Sequence, residues 1–168
     1  VEKDEKGGET SNRRAIANDP TDTLRVIVAA WRDQVEKGPA RASTLTGSFR
    51  RHSVEGLGEV AGREILVWLP PGYDSTSSAR YPVVYLHDGQ NVFDASTSFI
   101  GVEWGLDETA DRMIRAGEVP AFIAVGIPNA GAKRSWEYTP VADKGRGGGG
   151  AEAYAGFLIQ RVKPLVDR

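Results

Sequence analysis

The sequence predicts an α/β fold built on a doubly wound, mostly parallel sheet, with further β-structure ahead of it. Two continuous apolar runs, 81–86 and 121–127, have the length of strands buried on both faces and are too short for helices. Between them, 102–116 carries Leu106, Ala110, Met113 and Ile114 on one face, with Asp107, Glu108, Asp111, Arg112 and Arg115 elsewhere. That is an amphipathic helix, acidic at its start and basic at its end as the helix dipole prefers. Strand, helix and strand in this succession form a right-handed crossover between parallel strands.

Taken in order, residues 1–12 are charged and include Gly7-Gly8, which suits a hairpin turn as well as a loose terminus. Residues 13–17 and 23–31 read as extended segments separated by the turn formers Asn18-Asp19-Pro20-Thr21-Asp22. Two or three strands cannot bury a sheet face unaided, so residues 1–33 read as the end of a β-sandwich domain, with an edge ribbon on the main domain as the alternative. The polar segment 34–43, with Gly38-Pro39, reads as a linker.

Two more extended segments follow, 44–54 and 63–69, joined by a turn containing Gly56, Gly58 and Gly62. In the second, Ile65, Val67 and Leu69 alternate with Glu64, Leu66 and Trp68, so both of its faces are expected to be partly covered. Pro70-Pro71-Gly72 ends it, because proline cannot donate to a ladder. After the second buried strand, 128–150 is a long loop carrying Arg134, Trp136, Glu137 and Tyr138, and loops of this length are usually functional or mobile. Residues 151–163 return to helix, with Tyr154, Phe157, Leu158 and Val162 at core spacing, and Pro164 is expected to break or kink it. The sequence starts at Val1 and closes on Asp167-Arg168 inside a helical pattern, which reads as a segment of a longer chain.

Apolar residues make up 40% and charged residues 26% of the 168, enough apolar material for a core. A net charge of -2 gives no electrostatic drive toward nucleic acid or an anionic membrane, so neither is expected as a partner. No apolar stretch approaches the ~20 residues of a membrane span. The absence of cysteine excludes a thiol nucleophile, a disulfide and a thiolate metal site, and leaves the compartment open.

The first buried strand stops abruptly in His87-Asp88-Gly89-Gln90-Asn91. Open α/β sheets bind ligands beyond the carboxyl ends of their strands, which places this loop at the working edge. Gly89 allows a sharp turn and a close approach, leaving the Gln90 amide free to point into the crevice as an oxyanion-hole donor; an ordinary Asp-Gly turn is the alternative. His87 has no Gly-x-Ser-x-Gly nucleophile elbow anywhere in these residues to serve, and a hydrogen-bonded structural histidine is expected instead. His87, Asp88, Asp94 and Glu103 follow no ligand spacing, so no metal is expected. The stretch 145–150 matches Gly-x-Gly-x-x-Gly literally, but polar residues 139–144 precede it where a strand is required. It reads as a flexible linker, and no cofactor is expected.

Taken together, Leu69-Pro-Pro-Gly-Tyr-Asp74, Tyr85-Leu-His-Asp-Gly-Gln-Asn-Val-Phe-Asp94, Glu103-Trp-Gly-Leu-Asp-Glu108, Val125-Gly-Ile127 and Arg134-Ser-Trp-Glu-Tyr138 resemble the putative esterase family of α/β hydrolases. That family includes the enterobactin, feruloyl and esterase D-like enzymes, and the likeness covers about residues 44–168. It implies the amino-terminal half of an α/β-hydrolase domain and a serine carboxylic-ester hydrolase activity. Carried onto this chain, Gly89 is the oxyanion turn and Gln90 the donor through its backbone N–H. In the family the nucleophile elbow follows the segment that Lys163-Pro164 resembles, so the serine, acid and histidine are expected beyond Arg168 and the 168 residues alone are expected to be inactive.

The same resemblance puts Trp104, Arg134, Glu137 and Tyr138 on segments that approach the substrate, Trp104 as an acyl or aromatic wall and Arg134 with Glu137 as an ion pair bracing the loop. It implies a small-molecule or polysaccharide-linked ester as substrate and a secreted or periplasmic setting. Residues 1–32 resemble, through Asn12-Arg13 and Val28-Ala29-Ala30-Trp31, the last strands of a β-sandwich domain that precedes some of these esterases. The alternative function is a non-catalytic carbohydrate- or ligand-binding module on the same scaffold. Exposed strand edges are expected to make the isolated chain poorly soluble.

Overall fold

The structure is a computed structural model that describes residues 2–3, 30–31, 41–74, 78–145 and 147–168. Two units are distinguished, Val1–Ala40 and Arg41–Arg168. In the first, β1 (Glu2–Lys3) pairs antiparallel with β2 (Ala30–Trp31), Glu2 opposite Trp31 and Lys3 opposite Ala30. The remainder of the expected β-sandwich end, and 34–40 of the expected linker, lie outside the described residues.

The second unit contains four strands, β3 (Ser48–Val54), β4 (Arg63–Leu69), β5 (Val83–His87) and β6 (Ile123–Ile127), in the order β3-β4-β6-β5. β5 and β6 are parallel, as expected for strands joined through a helix, but β3–β4 and β4–β6 are antiparallel. The described sheet is therefore mixed, where a mostly parallel one was expected. Between β3 and β4 the reason is the connection: residues 55–62 form a short link, pinched where Leu57 and Val60 exchange backbone hydrogen bonds of 3.0 Å, and so short a link can only turn the chain back.

Helices cover both faces, which is the doubly wound part of the expectation. Ile65, Val67 and Leu69 of β4 join Val125 and Ile127 of β6 under Tyr154, Phe157 and Val162. On the other face Trp68 and Ala124 pack with Val92, Phe93 and Ala110 of α1 (Leu106–Arg115), with Leu106 and Ile114 around them. Alternate residues of the same strands thus feed two separate cores, as the side-chain alternation of a strand requires.

Three local expectations are corrected or narrowed. Pro164 does not break the last helix but distorts it, the milder of the two expected outcomes: α3 (Ala151–Phe157) widens into a single π turn over Leu158–Val162 and continues as α4 (Lys163–Val166). Proline lacks an N–H and its ring crowds the carbonyl one turn back, and a wider turn relieves both faults without ending the helix. The glycine-rich stretch is no loose linker either, since Gly147 and Asp143 exchange backbone hydrogen bonds of 2.8 and 2.9 Å, Gly149 N–H donates to Thr139 at 2.7 Å and Gly150 N–H to Trp136 at 2.9 Å.

The third correction concerns Glu137. The 128–150 loop carries a 3-10 turn, Gly131–Lys133, and a short helix, α2 (Arg134–Tyr138). Glu137 faces inward from α2 and pairs with Arg63 at the start of β4, not with Arg134. The Arg63 Nη1–Glu137 Oε2 contact is 2.9 Å, and the two side chains are 8% and 1% exposed. Arg63 also donates to the Pro128 carbonyl at 3.0 Å and lies 5.2 Å from the centre of the Phe157 ring, so one guanidinium joins β4, the end of β6, α2 and α3. Removing one member of such a pair strands a buried charge. Glu137→Gln is expected to destabilise the chain by ~3 kcal/mol or more in urea unfolding, and the double replacement Arg63→Met with Glu137→Leu to recover most of that loss.

Candidate active site

Because β5 and β6 run parallel with His87 opposite Ile127, their carboxyl ends finish side by side. The chain leaving β5 must turn at once, and Asp88 does so in the left-handed region at φ 54° and ψ 40°, the sole non-glycine residue with positive φ among those described. A 3-10 turn over Gly89–Asn91 follows, closed by Asn91 N–H to the Asp88 carbonyl at 2.8 Å and Val92 N–H to the Gly89 carbonyl at 3.3 Å. The Gln90 amide donates to neither of these bonds.

Gly89 is fixed by contact. A β-carbon on it would stand 2.3 Å from the Ile127 nitrogen and 2.4 Å from the Gly126 carbonyl carbon, both backbone atoms that cannot step aside. The turn lies directly on the end of β6, and only glycine permits that approach. A β-carbon on Gly126 would in turn come within 2.8 Å of the Phe93 ring and 3.3 Å of the Gly89 α-carbon, so the turn and the ring crowd the same side of the strand.

Asp88 is held from several directions. Arg134 grips it bidentately, Nε to Oδ1 at 2.8 Å and Nη2 to Oδ2 at 2.7 Å, and Asn129 Nδ2 donates to Oδ1 at 2.6 Å. The Asp88 N–H donates to the Tyr138 hydroxyl oxygen at 3.2 Å. The hydrogen bonds from Arg134 outweigh partial burial and, with that of Asn129, hold the Asp88 carboxyl down at about 2. The guanidinium also lies over the Tyr138 ring, 4.8 Å from its centre.

Gln90 and Asn91 tie this turn to its neighbours. Gln90 Oε1 accepts from the Asn129 N–H at 3.2 Å, and its carbonyl accepts from the Thr97 hydroxyl at 2.7 Å. Asn91 Oδ1 accepts from the Phe99 N–H at 2.9 Å, and its carbonyl accepts from the Trp104 N–H at 2.9 Å. Phe99 and Trp104 therefore sit on a loop fastened to the turn, and both rings are largely exposed, 80% for Phe99 and 58% for Trp104.

His87 is engaged structurally, its Nδ1 lying 3.0 Å from the Tyr154 hydroxyl. Burial above all pushes that hydroxyl up, so Tyr154 stays protonated beside the imidazole. His87, Tyr138 and Tyr154 form a ring cluster with centres 5.4 to 5.6 Å apart.

Of the residues singled out in the sequence, Gly89, Gln90, Arg134 and Tyr138 gather at this edge, and Trp104 is joined to it through Asn91. Glu137 is buried behind it in the pair with Arg63. Sequence reasoning missed Asp88 as the anchor of Arg134, along with Asn129, Tyr154 and Arg63. Tyr154 has the spacing of a core position, and nothing in that spacing signals the hydrogen bond to His87.

A family model described as Putative esterase matches residues 61–168. The chain belongs to the putative esterase family. Among solved structures it is similar to an IroE-like serine hydrolase from Shewanella oneidensis, at 25% identity over 71% of this chain and 38% of that one, with a TM-score of 0.57. It is also similar in fold to the BES protein from Bacillus cereus, at 23% identity over 80% of this chain and 49% of that one, with a TM-score of 0.53. The chain thus spans less than half the length of either structure. No curated protein matches it.

Two outcomes follow for this member of the esterase family. Gly89→Ala is expected to cost ~1 to 3 kcal/mol, the penalty of overpacking against unyielding backbone, measured by urea unfolding. Because the Asp88 carboxyl is held at about 2 against an ordinary 3.8, its clamp contributes stability that is complete above about pH 4 and is lost as pH falls toward about 2. In thermal melts across that window, the difference between the chain and Asp88→Asn is expected to shrink with acidification.

Proposed function

We propose that the chain contributes the oxyanion-turn half of an α/β-hydrolase active site that cleaves carboxylic esters through a serine nucleophile. The observation that carries this reading is the turn at Gly89, wedged against the end of β6 so that the Gln90 amide takes no part in closing it. The membership in an esterase family and the likeness to a serine hydrolase at 25% identity support it.

In this mechanism a serine outside these residues attacks the acyl carbon, and negative charge builds on the former carbonyl oxygen. The Gln90 N–H donates to that oxygen from a fixed position, so little reorganisation is needed as charge develops. Asp88 serves the turn and not the substrate: its carboxylate is spent on Arg134 and Asn129, which keeps the left-handed geometry in place. His87, held by Tyr154, is a structural member of the edge and not the general base. Trp104 and Phe99 offer an apolar wall to the acyl or aromatic part of the ester, and Arg134 and Tyr138 act as positioning residues for the turn. A nucleophile and its base must come from elsewhere, since no Gly-x-Ser-x-Gly occurs in the 168 residues.

The test separates the backbone from the side chain at one position. In a longer chain that carries the serine, replacing the Gln90 amide by an ester linkage is expected to lower kcat on p-nitrophenyl acetate by ~10² to 10³, the usual loss for one oxyanion donor. Gln90→Ala keeps the N–H and is expected to retain most of kcat. An unchanged kcat after the amide-to-ester exchange would sink the proposal, as would serine-dependent turnover by the 168 residues alone.

A further inference from the structure

A second group of polar side chains lies at the start of α1. Glu103, Asp107 and Glu108 each place a carboxylate oxygen within 4.8 Å of the others. Acids are common in the first turn of a helix, where they face the positive end of the dipole and accept its free N–H groups. That habit does not account for these three. Asp107 is fully buried, and its Oδ2 accepts a hydrogen bond of 2.7 Å from Thr46 N–H, in the segment that leads into β3. Its Oδ1 is buried with no hydrogen-bond partner, and so are Glu103 Oε2 and Glu108 Oε2.

Three carboxyl groups crowded together, each with a buried oxygen lacking a donor from the rest of the chain, are costly unless a cation sits among them or two of them share a proton. Among the described residues no ion pair from a lysine, arginine or histidine to these three acids is seen: Arg112 and Arg115 of the same helix are engaged with Glu118 and Asp111, and the Arg41 guanidinium lies against Gly101. The other groups at hand are oxygens as well. The Thr44 hydroxyl donates to Glu103 Oε1, and the Thr46 hydroxyl is 3.4 Å from Glu108 Oε1. A donor set of oxygen alone, without nitrogen or sulfur, selects hard cations over zinc or copper.

We propose that Glu103, Asp107 and Glu108 form a binding site for one hard divalent cation of the calcium class, each contributing a carboxylate oxygen. Such an ion staples the start of α1 to the 44–46 segment. It also steadies Glu103, whose neighbour Trp104 donates its N–H to the Asn91 carbonyl of the oxyanion turn at 2.9 Å. The site does not depend on the esterase reading.

The experiment is a calcium chloride titration of the chelator-treated 168-residue chain, followed by calorimetry, by melting temperature and by terbium luminescence sensitised through Trp104. One site is expected, with a Kd on the order of 10⁻⁶ to 10⁻³ M, an upward melting shift and terbium emission that calcium displaces. Glu103→Gln removes one of the crowded charges and is expected to weaken calcium binding ~tenfold or more without lowering the metal-free melt. Asp107→Asn is expected to abolish binding. The proposal is overturned if millimolar calcium, magnesium and manganese give no heat, no luminescence and no melting shift beyond that of sodium chloride at equal ionic strength. It is equally overturned if calcium is inert and either variant raises the metal-free melting temperature, the signature of a carboxyl and a carboxylate sharing a proton.

Discussion

The working edge of this chain depends on one contact between backbones. The turn at Gly89 rests on Gly126 and Ile127, close enough that a single β-carbon would stand 2.3 Å from a main-chain nitrogen. Parallel pairing of β5 with β6 sets the two strand ends level, and the missing side chains let them meet. Immediately after the turn, Val92 and Phe93 are fully buried in the core on the α1 face. The turn is therefore wedged against the sheet at Gly89 and anchored by core packing just beyond it.

Two ion pairs secure this edge by different physics. Arg63 and Glu137 are almost wholly withdrawn from water, and their attraction is offset by the desolvation of both charges. What such a pair enforces is placement: α2 cannot shift without leaving one charge alone in an apolar setting. Arg134 and Asp88 are partly exposed, at 50% and 15%, so solvent screens them and their worth lies in geometry. A bidentate grip with a third donor from Asn129 holds a non-glycine residue in the left-handed region, a conformation that persists when its surroundings over-determine it.

The strands β5 and β6, the α1 helix and the Asp-Gly turn were legible in the sequence because each is written locally, in apolar runs, in helical spacing or in a turn dipeptide. Burial was not, since β6 is covered on both faces while β5 ends the described sheet with Val84 exposed. The strand directions were also less legible. Nothing in 63–69 states that β6 will lie antiparallel beside it, because that is decided by which neighbour the crossover reaches. The partners of Arg134 were misassigned for a related reason. Glu137 is three residues away on what proves to be a helix, yet Asp88, far off in sequence, holds the better geometry. The acids at Glu103, Asp107 and Glu108 gave no motif, since their proximity to Thr44 and Thr46 depends on how the segment ahead of β3 crosses the start of α1.

Catalytic donors gain most when their position is set before charge develops, because the cost of orienting them then falls on folding and not on the reaction. The restraints seen on the Gln90 neighbourhood among the described residues are the seat of Gly89 on β6, the clamp on Asp88, the Asn129 N–H on Gln90 Oε1 and the loop tied to Asn91. None of them involves a nucleophile or a base. The amide proposed as the oxyanion donor is thus positioned by the sheet itself, and any serine that serves this site must come to a donor already in place.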